Sequence, residues 1–214
     1  MKKLAPLTGV LFFLVLLASV LIGSNSLSAS SSAAKVLAHF KSHHNGAEIS
    51  GILTVISVFI GVIFYGQLRD YLRLHDRSRG WTATAFGGVI LFAASGALSA
   101  GVNFALTDSP SHLSPTAAQV LFLVNQDVSN GLSLAGIALL LFCFGWAIRD
   151  SALLPKWLGW VALPLTLASL IPPLGFIAFI GVGIWTLIVS IAMWRRLASA
   201  ETAPATAVAA NSPA

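Results

Sequence analysis

The chain has 214 residues, 57% of them hydrophobic and only 9% charged, with a mean hydropathy of +0.87. Soluble domains carry about 25% charged residues, and a water-soluble fold of this size cannot hide so much apolar surface. Its net charge of +5 points to membrane boundaries and anionic lipid and excludes nucleic acid, because no basic patch is interleaved with exposed aromatics on a polar segment.

The first apolar run spans about Pro6 to Gly23 and follows Lys2 and Lys3. A basic start, an apolar run and the Ser/Ala-rich sequel from Ser24 to Ala34 also describe a secretory signal peptide. The run exceeds a signal-peptide core of roughly 7–15 residues, so a retained helix is expected, and cleavage leaves five crossings. Residues 24–48 form the longest polar connection. Within it, Val36, Leu37 and Phe40 recur at helical spacing, with Lys35, His39 and His43 available for another face. This pattern predicts a short amphipathic helix lying at the membrane interface.

The second crossing is expected over about 49–68. Ser50, Thr54, Ser57 and Gly61 make one strip of small side chains along it, of the kind that lets helix backbones approach in lipid. Arg69, Arg73, Arg77 and Arg79 follow, tempered by Asp70 and Asp76. The third crossing, about 82–106, carries two small-xxx-small pairs, Ser95/Ser99 and Ala97/Gly101. Its glycines resemble no phosphate loop, having neither a preceding strand nor a Lys-Ser/Thr. The loop from Thr107 to Thr116 holds Pro110 and Pro115 and no Lys or Arg.

The fourth segment, about 117–148, reaches roughly 48 Å as a helix, against a hydrocarbon core near 30 Å. Gly131 to Ile148 is almost uniformly apolar and is placed in the membrane, which puts Gln119 to Asn130 in the outer third or beyond it. The single Cys143 lies in this apolar run, so no intrachain disulfide forms. The fifth and sixth crossings, about 154–171 and 175–194, form a hairpin turned by Pro172, Pro173 and Gly175. Residues 197–214, dominated by Ala, Pro and Thr, are expected to be a disordered cytoplasmic tail.

The expected fold is an all-α integral membrane bundle of six transmembrane helices over residues 1–196, with both termini inside. With that orientation the cytoplasmic side receives Lys2, Lys3, Arg69, Arg73, Arg77, Arg79, Arg149, Lys156, Arg195 and Arg196, and the outer side only Lys35 and Lys41. Basic residues concentrate on the cytoplasmic side of membrane proteins. Trp81, Trp146, Trp157, Trp160 and Trp194 fall at the same boundaries, and only Trp185 lies mid-span.

Asp127 is the only acidic residue embedded in an apolar segment, and an ionisable group at membrane depth invites a functional reading. Gln119, Gln126, Asn130 and Ser133 form a helical stripe beside it, and Asn103 could meet that stripe from the third crossing. Asp127, Asn130, Gln126 and Asn103 are therefore the candidate binding residues for a small polar ligand or cation. The structural alternative is a hydrated Asp127 at headgroup level, with amides tying helices together. A second cluster, His39, His43, His44 and Glu48, offers imidazole and carboxylate on the outer side, with His112 and Asp108 nearby in topology. A metal site wants three or four convergent ligands, and this spacing matches no zincin or deaminase signature, so no metal and no cofactor is assigned. No Ser/His/Asp, Cys/His or paired-carboxylate arrangement can be assembled, which argues against an enzyme.

The segment AAKVLAHFKSHHN ending at Asn45, the exit LRDYLR at Leu68–Arg73, LPKWLGW at Leu154–Trp160 and IPPLGF at Ile171–Phe176 resemble a family of uncharacterised polytopic membrane proteins from high-GC Gram-positive bacteria. The resemblance implies six helices, a cytoplasmic C-terminus and the bacterial plasma membrane, and it carries over no functional residue. The first functional reading is a membrane-embedded binding or interaction protein with its polar cluster towards the outer leaflet. Its implied partners are membrane lipids, with a second copy or another membrane protein as further candidates. A small-solute or ion transporter component is the alternative, although Leu134 to Ile148 offers only Cys143 as a polarisable group. A metal-dependent membrane enzyme using the histidine-bearing loop is the third.

Overall fold

The computed structural model describes residues 5–23, 27–28, 30–74, 79–108, 112–151, 153–171 and 174–202, and these contain helices and no strand. Lys2, Lys3, Arg77, Pro110, Pro172, Pro173 and the tail from 203 onward lie outside the described residues. The elements are α1 (Thr8–Gly23), α2 (Ala33–Ser42), α3 (His44–Leu72), α4 (Arg79–Asp108), α5 (Pro115–Val124), a π-helical turn (Asn125–Ser129), α6 (Asn130–Asp150), α7 (Lys156–Leu170) and α8 (Gly175–Thr202). The last helix therefore continues past the expected end of the sixth crossing and into the segment expected to be disordered.

Among the described residues four helices are long and apolar enough to cross a membrane: His44–Leu72, Arg79–Asp108, the continuous Pro115–Asp150, and Gly175–Ser199. A span needs about 20 apolar residues. The 16 residues of α1 and the 15 of α7 fall short of that, and the six expected crossings thus divide into four long helices and two short ones. Pro164 lies inside α7, where it removes one backbone N–H from the helical ladder.

The helices close a ring, with α1 on α3, α3 on α4, α4 on α6, α6 on α7, α7 on α8 and α8 back on α1. Small residues decide the closest crossings. A Cβ on Gly88 would stand 2.6 Å from the backbone nitrogen of Leu140, and one on Gly136 would stand 2.6 Å from that of Phe92. Glycine is what permits α4 and α6 to touch backbone to backbone. Between α1 and α3 the contact is polar. Ser19 Oγ lies 2.9 Å from the Ser50 carbonyl and 2.7 Å from Thr54 Oγ1, and Ser50 Oγ donates to the Ser19 carbonyl at 3.0 Å. The small strip on α3 is thus the seat of α1.

The outside of the ring is apolar. Ile49, Ile52, Ile56, Phe59 and Ile63 step along one face of α3 and are all exposed, Phe59 to 67%. An exposed stripe of this kind marks contact with another apolar phase. Inside, the half of the ring nearest the arginines is densely filled. Tyr65 is the hub, edge-on to Phe12 at 6.1 Å and stacked on Phe144 at 5.9 Å, with its hydroxyl 2.6 Å from Thr186 Oγ1. Trp185, fully buried, donates from Nε1 to the Leu158 carbonyl at 2.9 Å and so ties α8 to α7.

At the other end α2 and α5 form a cap with its own small core of Leu27, Val36, Phe40, Val102, Leu106, Ala118 and Phe122. The amphipathic pattern of α2 is present, but Val36 and Phe40 are buried against protein, not against lipid. Gln119 Nε2 donates to the Ser31 carbonyl at 3.1 Å and fastens the α2 approach to α5. Ser114 caps α5 by accepting from the Ala117 backbone N–H at 3.2 Å, with Pro115 at its first position.

Candidate functional site

Beneath the cap the ring is not filled, and a cavity of about 540 Å³ lies among α1, α3, α4, α6 and α8. Polar side chains reach it from four directions: Ser19 on α1, Ser50, Thr54 and Ser57 on α3, Ser95, Ser99 and Asn103 on α4, and Asn125, Ser129, Asn130 and Ser133 around the π turn. Phe40, Phe92, Phe122, Phe176 and Phe179 supply the apolar wall. Among the described residues no charged side chain lines it. Phe92 and Phe179 meet across the ring at 6.2 Å and form its floor, above the Phe12–Tyr65–Phe144 layer.

The π turn explains how α5 and α6 share this site. A turn with i→i+5 bonding takes up more residues than an α turn, so it resets which face looks inward. Asn125 and Ser129 both line the cavity, and Ser129 Oγ donates to Asn125 Oδ1 at 2.9 Å. The stripe expected from regular spacing ran through Gln126; in the structure the lining position passes to Asn125. Of the four candidate binding residues, Asn103 and Asn130 line the cavity, while Asp127 and Gln126 do not. Asp127 is exposed. Gln126 is half-buried, and its Oε1 has no hydrogen-bond partner among the described residues. Asp127 and Gln126 thus stand outside the cavity lining, and an unpaired carboxylate is better solvated away from a ring of neutral groups.

The hydroxyls have a common orientation. Thr54, Ser57 and Ser95 spend their hydrogens on the carbonyls of Ser50, Thr54 and Phe92, at 2.8, 2.8 and 2.7 Å. A hydroxyl whose hydrogen is engaged still has lone pairs to offer. The lining is therefore biased towards accepting hydrogen bonds, with the amides of Asn103, Asn125 and Asn130 as its adaptable members.

A second volume of about 740 Å³ lies against the cap, walled by His39, Lys41, His43 and His44. Gly23, Phe40, Ser50 and Asn103 border both volumes, so the two adjoin, and the outer one is termed the vestibule. His39 and His43 stack at 4.4 Å, and Ser42 Oγ lies 2.8 Å from His43 Nδ1. Partial burial, reinforced by the neighbouring His43, holds the His39 imidazole below its ordinary value of 6.5. His44 pairs with Glu48 on its own helix at 3.8 Å. Among the described residues no three His, Cys, Asp or Glu side chains gather where a metal could be held. His112 and Asp108 are exposed and line neither volume.

Reasoning from sequence passed over Ser19, because a lone serine in an apolar helix carries no motif, and it read Ser95 and Ser99 as a packing strip. The four-residue recurrence of Ser95 and Ser99 was the available signal, and it proves to face the cavity while Ala97 and Gly101 face outward. No curated protein and no solved structure matches the chain significantly. Residues 7–195 match a family described as a domain of unknown function, DUF4386, and the chain belongs to that family.

Proposed function

We propose that the protein is a six-crossing protein of the bacterial plasma membrane, with its arginine-rich end in the cytosol, which binds a small uncharged molecule from the outer side. The observation that carries this reading is the neutral, polar-lined cavity of about 540 Å³, within the 300–1,000 Å³ range of small-molecule sites. Its neutral, acceptor-rich lining favours a ligand bearing several hydroxyl or amide donors. Asn103 and Asn130 are the proposed specificity groups, because an uncharged amide offers two N–H donors and a carbonyl acceptor, whereas the hydrogens of Thr54, Ser57 and Ser95 are already engaged. Lys41 at the vestibule disfavours a cation. Binding is preferred over transport because the aromatic floor and the Tyr65 layer fill the path towards the arginine end.

Two short helices are compatible with six crossings. The turn Ala5–Leu7 extends α1, and neighbouring long helices cover α7. The orientation rests on Arg69, Arg73, Arg79, Arg149, Lys156, Arg195 and Arg196 clustering at one end. The test is cysteine labelling in intact cells on a Cys143→Ala background, using a small membrane-impermeant thiosulfonate. Ser99→Cys and Ser133→Cys are expected to react from outside, and Leu140→Cys, in the packed half, is expected to stay silent. Labelling of the cavity positions only after the cell is opened overturns the orientation, and no labelling at all overturns the water-filled pocket. A cavity that does react is then screened with uncharged polyols and amides. A rise in melting temperature that disappears in Asn103→Ala/Asn130→Ala identifies the ligand class.

A further inference from the structure

At the arginine end a separate groove of about 510 Å³ runs between the start of α7 and the last turns of α8. Its deeper part is apolar, lined by Ile188, Ile191 and Ala192, with Trp157 half-exposed along one wall. Its outer part holds Arg195 and Arg196. From Ile188 to Ser199 the groove follows about 17 Å of helix, of which the apolar stretch Ile188–Ala192 takes about 6 Å, room for the upper methylenes of one acyl chain, and the remainder faces the headgroup.

Other arginines at this end are engaged by the protein. Arg149 lies over the rings of Trp160 and Trp146 at 3.8 and 4.5 Å, and Arg69 lies over Phe86 at 5.3 Å. Arg195 and Arg196 are exposed and have no carboxylate partner among the described residues, with Arg196 within electrostatic reach of the Tyr71 hydroxyl. The start of α7 faces the same groove through Pro155 and carries no side-chain cap, so its positive dipole end adds to theirs.

We infer that this groove holds one anionic phospholipid, its tail along Ile188, Ile191 and Ala192 and its phosphate on Arg195 and Arg196. Charge and apolarity are ordered along the groove as they are along a lipid, which a soluble anion does not reproduce. The inference uses residues at the end opposite the cavity and stands whether or not the cavity binds a ligand.

The probe is purified full-length protein in mixed micelles of phosphatidylglycerol and phosphatidylcholine, read by native mass spectrometry for retained lipid. Two arginines at the surface correspond to a preference of about thirtyfold for the anionic lipid. Arg195→Gln/Arg196→Gln is expected to bring that ratio close to one, and Arg195→Lys/Arg196→Lys to keep most of it. Lys35→Gln/Lys41→Gln, at the cap, is expected to leave the ratio unchanged. Ala192→Trp fills the tail groove without touching charge and is expected to lower retention of phosphatidylglycerol. Equal retention of the two lipids by the unaltered protein overturns the proposal, as does a preference that survives the double glutamine variant. Complete displacement by millimolar inorganic phosphate also overturns it, since that would reduce the site to an anion contact without a tail.

Discussion

Gly88 and Gly136 sit where two helix backbones have no room for a side chain, and each is irreplaceable for that steric reason alone. A methyl group on Gly136 meets main-chain atoms of Phe92, which cannot turn aside as a flexible side chain could. Gly136→Ala is therefore expected to cost about 1–3 kcal/mol through overpacking. Gly101 has nothing within 4 Å of an added Cβ, so Gly101→Ala should be neutral or slightly stabilising through helix propensity. Thermal unfolding of both variants in detergent checks the contrast. Equal behaviour of the pair would refute the backbone contact as the source of stability. Polar residues obey a similar local logic. Ser57 and Ser95 have their hydrogens satisfied within their own helices, which lets them line a cavity without leaving an unpaired donor.

At the scale of elements, α2 and the π turn convert an open ring into a covered site. The helix α2 is held by Val36 and Phe40, and its other side presents His39 and His43 to the vestibule. Because docking lowers the His39 value below 6.5, the undocked segment binds more protons than the docked one between the two values. Docking stability accordingly rises with pH through that window, is complete above about 6.5, and weakens as pH falls below it. Hydrogen-exchange protection across Ala33–Ser42, corrected for intrinsic rates, should fall on acidification in unaltered protein and should do so less in His39→Gln. A pH-independent profile in the unaltered protein would show that the imidazole is not coupled to the cap. The π turn acts differently. It allows α5 to pack on α2 and α6 to pack on α4 within one continuous helix, each with its own face inward.

At the scale of the whole molecule, the protein is filled on one half, hollow on the other and oily outside. Phe59 lies on the exposed stripe of α3, near the middle of that helix. In a water-soluble protein a lysine there would be nearly neutral, whereas at the centre of a bilayer it costs about 2.5–3.5 kcal/mol. Phe59→Lys is expected to reduce the membrane-inserted fraction several-fold, measured by carbonate-resistant membrane association of the expressed chain. Insertion at the unaltered level would argue that this face never meets hydrocarbon.

The sequence by itself determined that the chain is helical and membrane-like, where its long apolar helices run, and which end carries the cations. Each of those follows from composition over stretches of some twenty residues, where transfer from water to hydrocarbon outweighs local detail. It also singled out the strip Ser50, Thr54, Ser57 and Gly61, because recurrence along one helix is a one-dimensional property. Only the tertiary structure decided that Asn103 and Asn130 meet around a cavity while Asp127 turns outward. Only there does α2 spend its apolar face on α5, and Trp185 find the Leu158 carbonyl. The physical reason is that a cavity is made by what fails to pack between different helices, and one π turn shifts every later side chain around the axis. Neither effect leaves a mark in residue spacing, which assumes a regular helix and knows no neighbour.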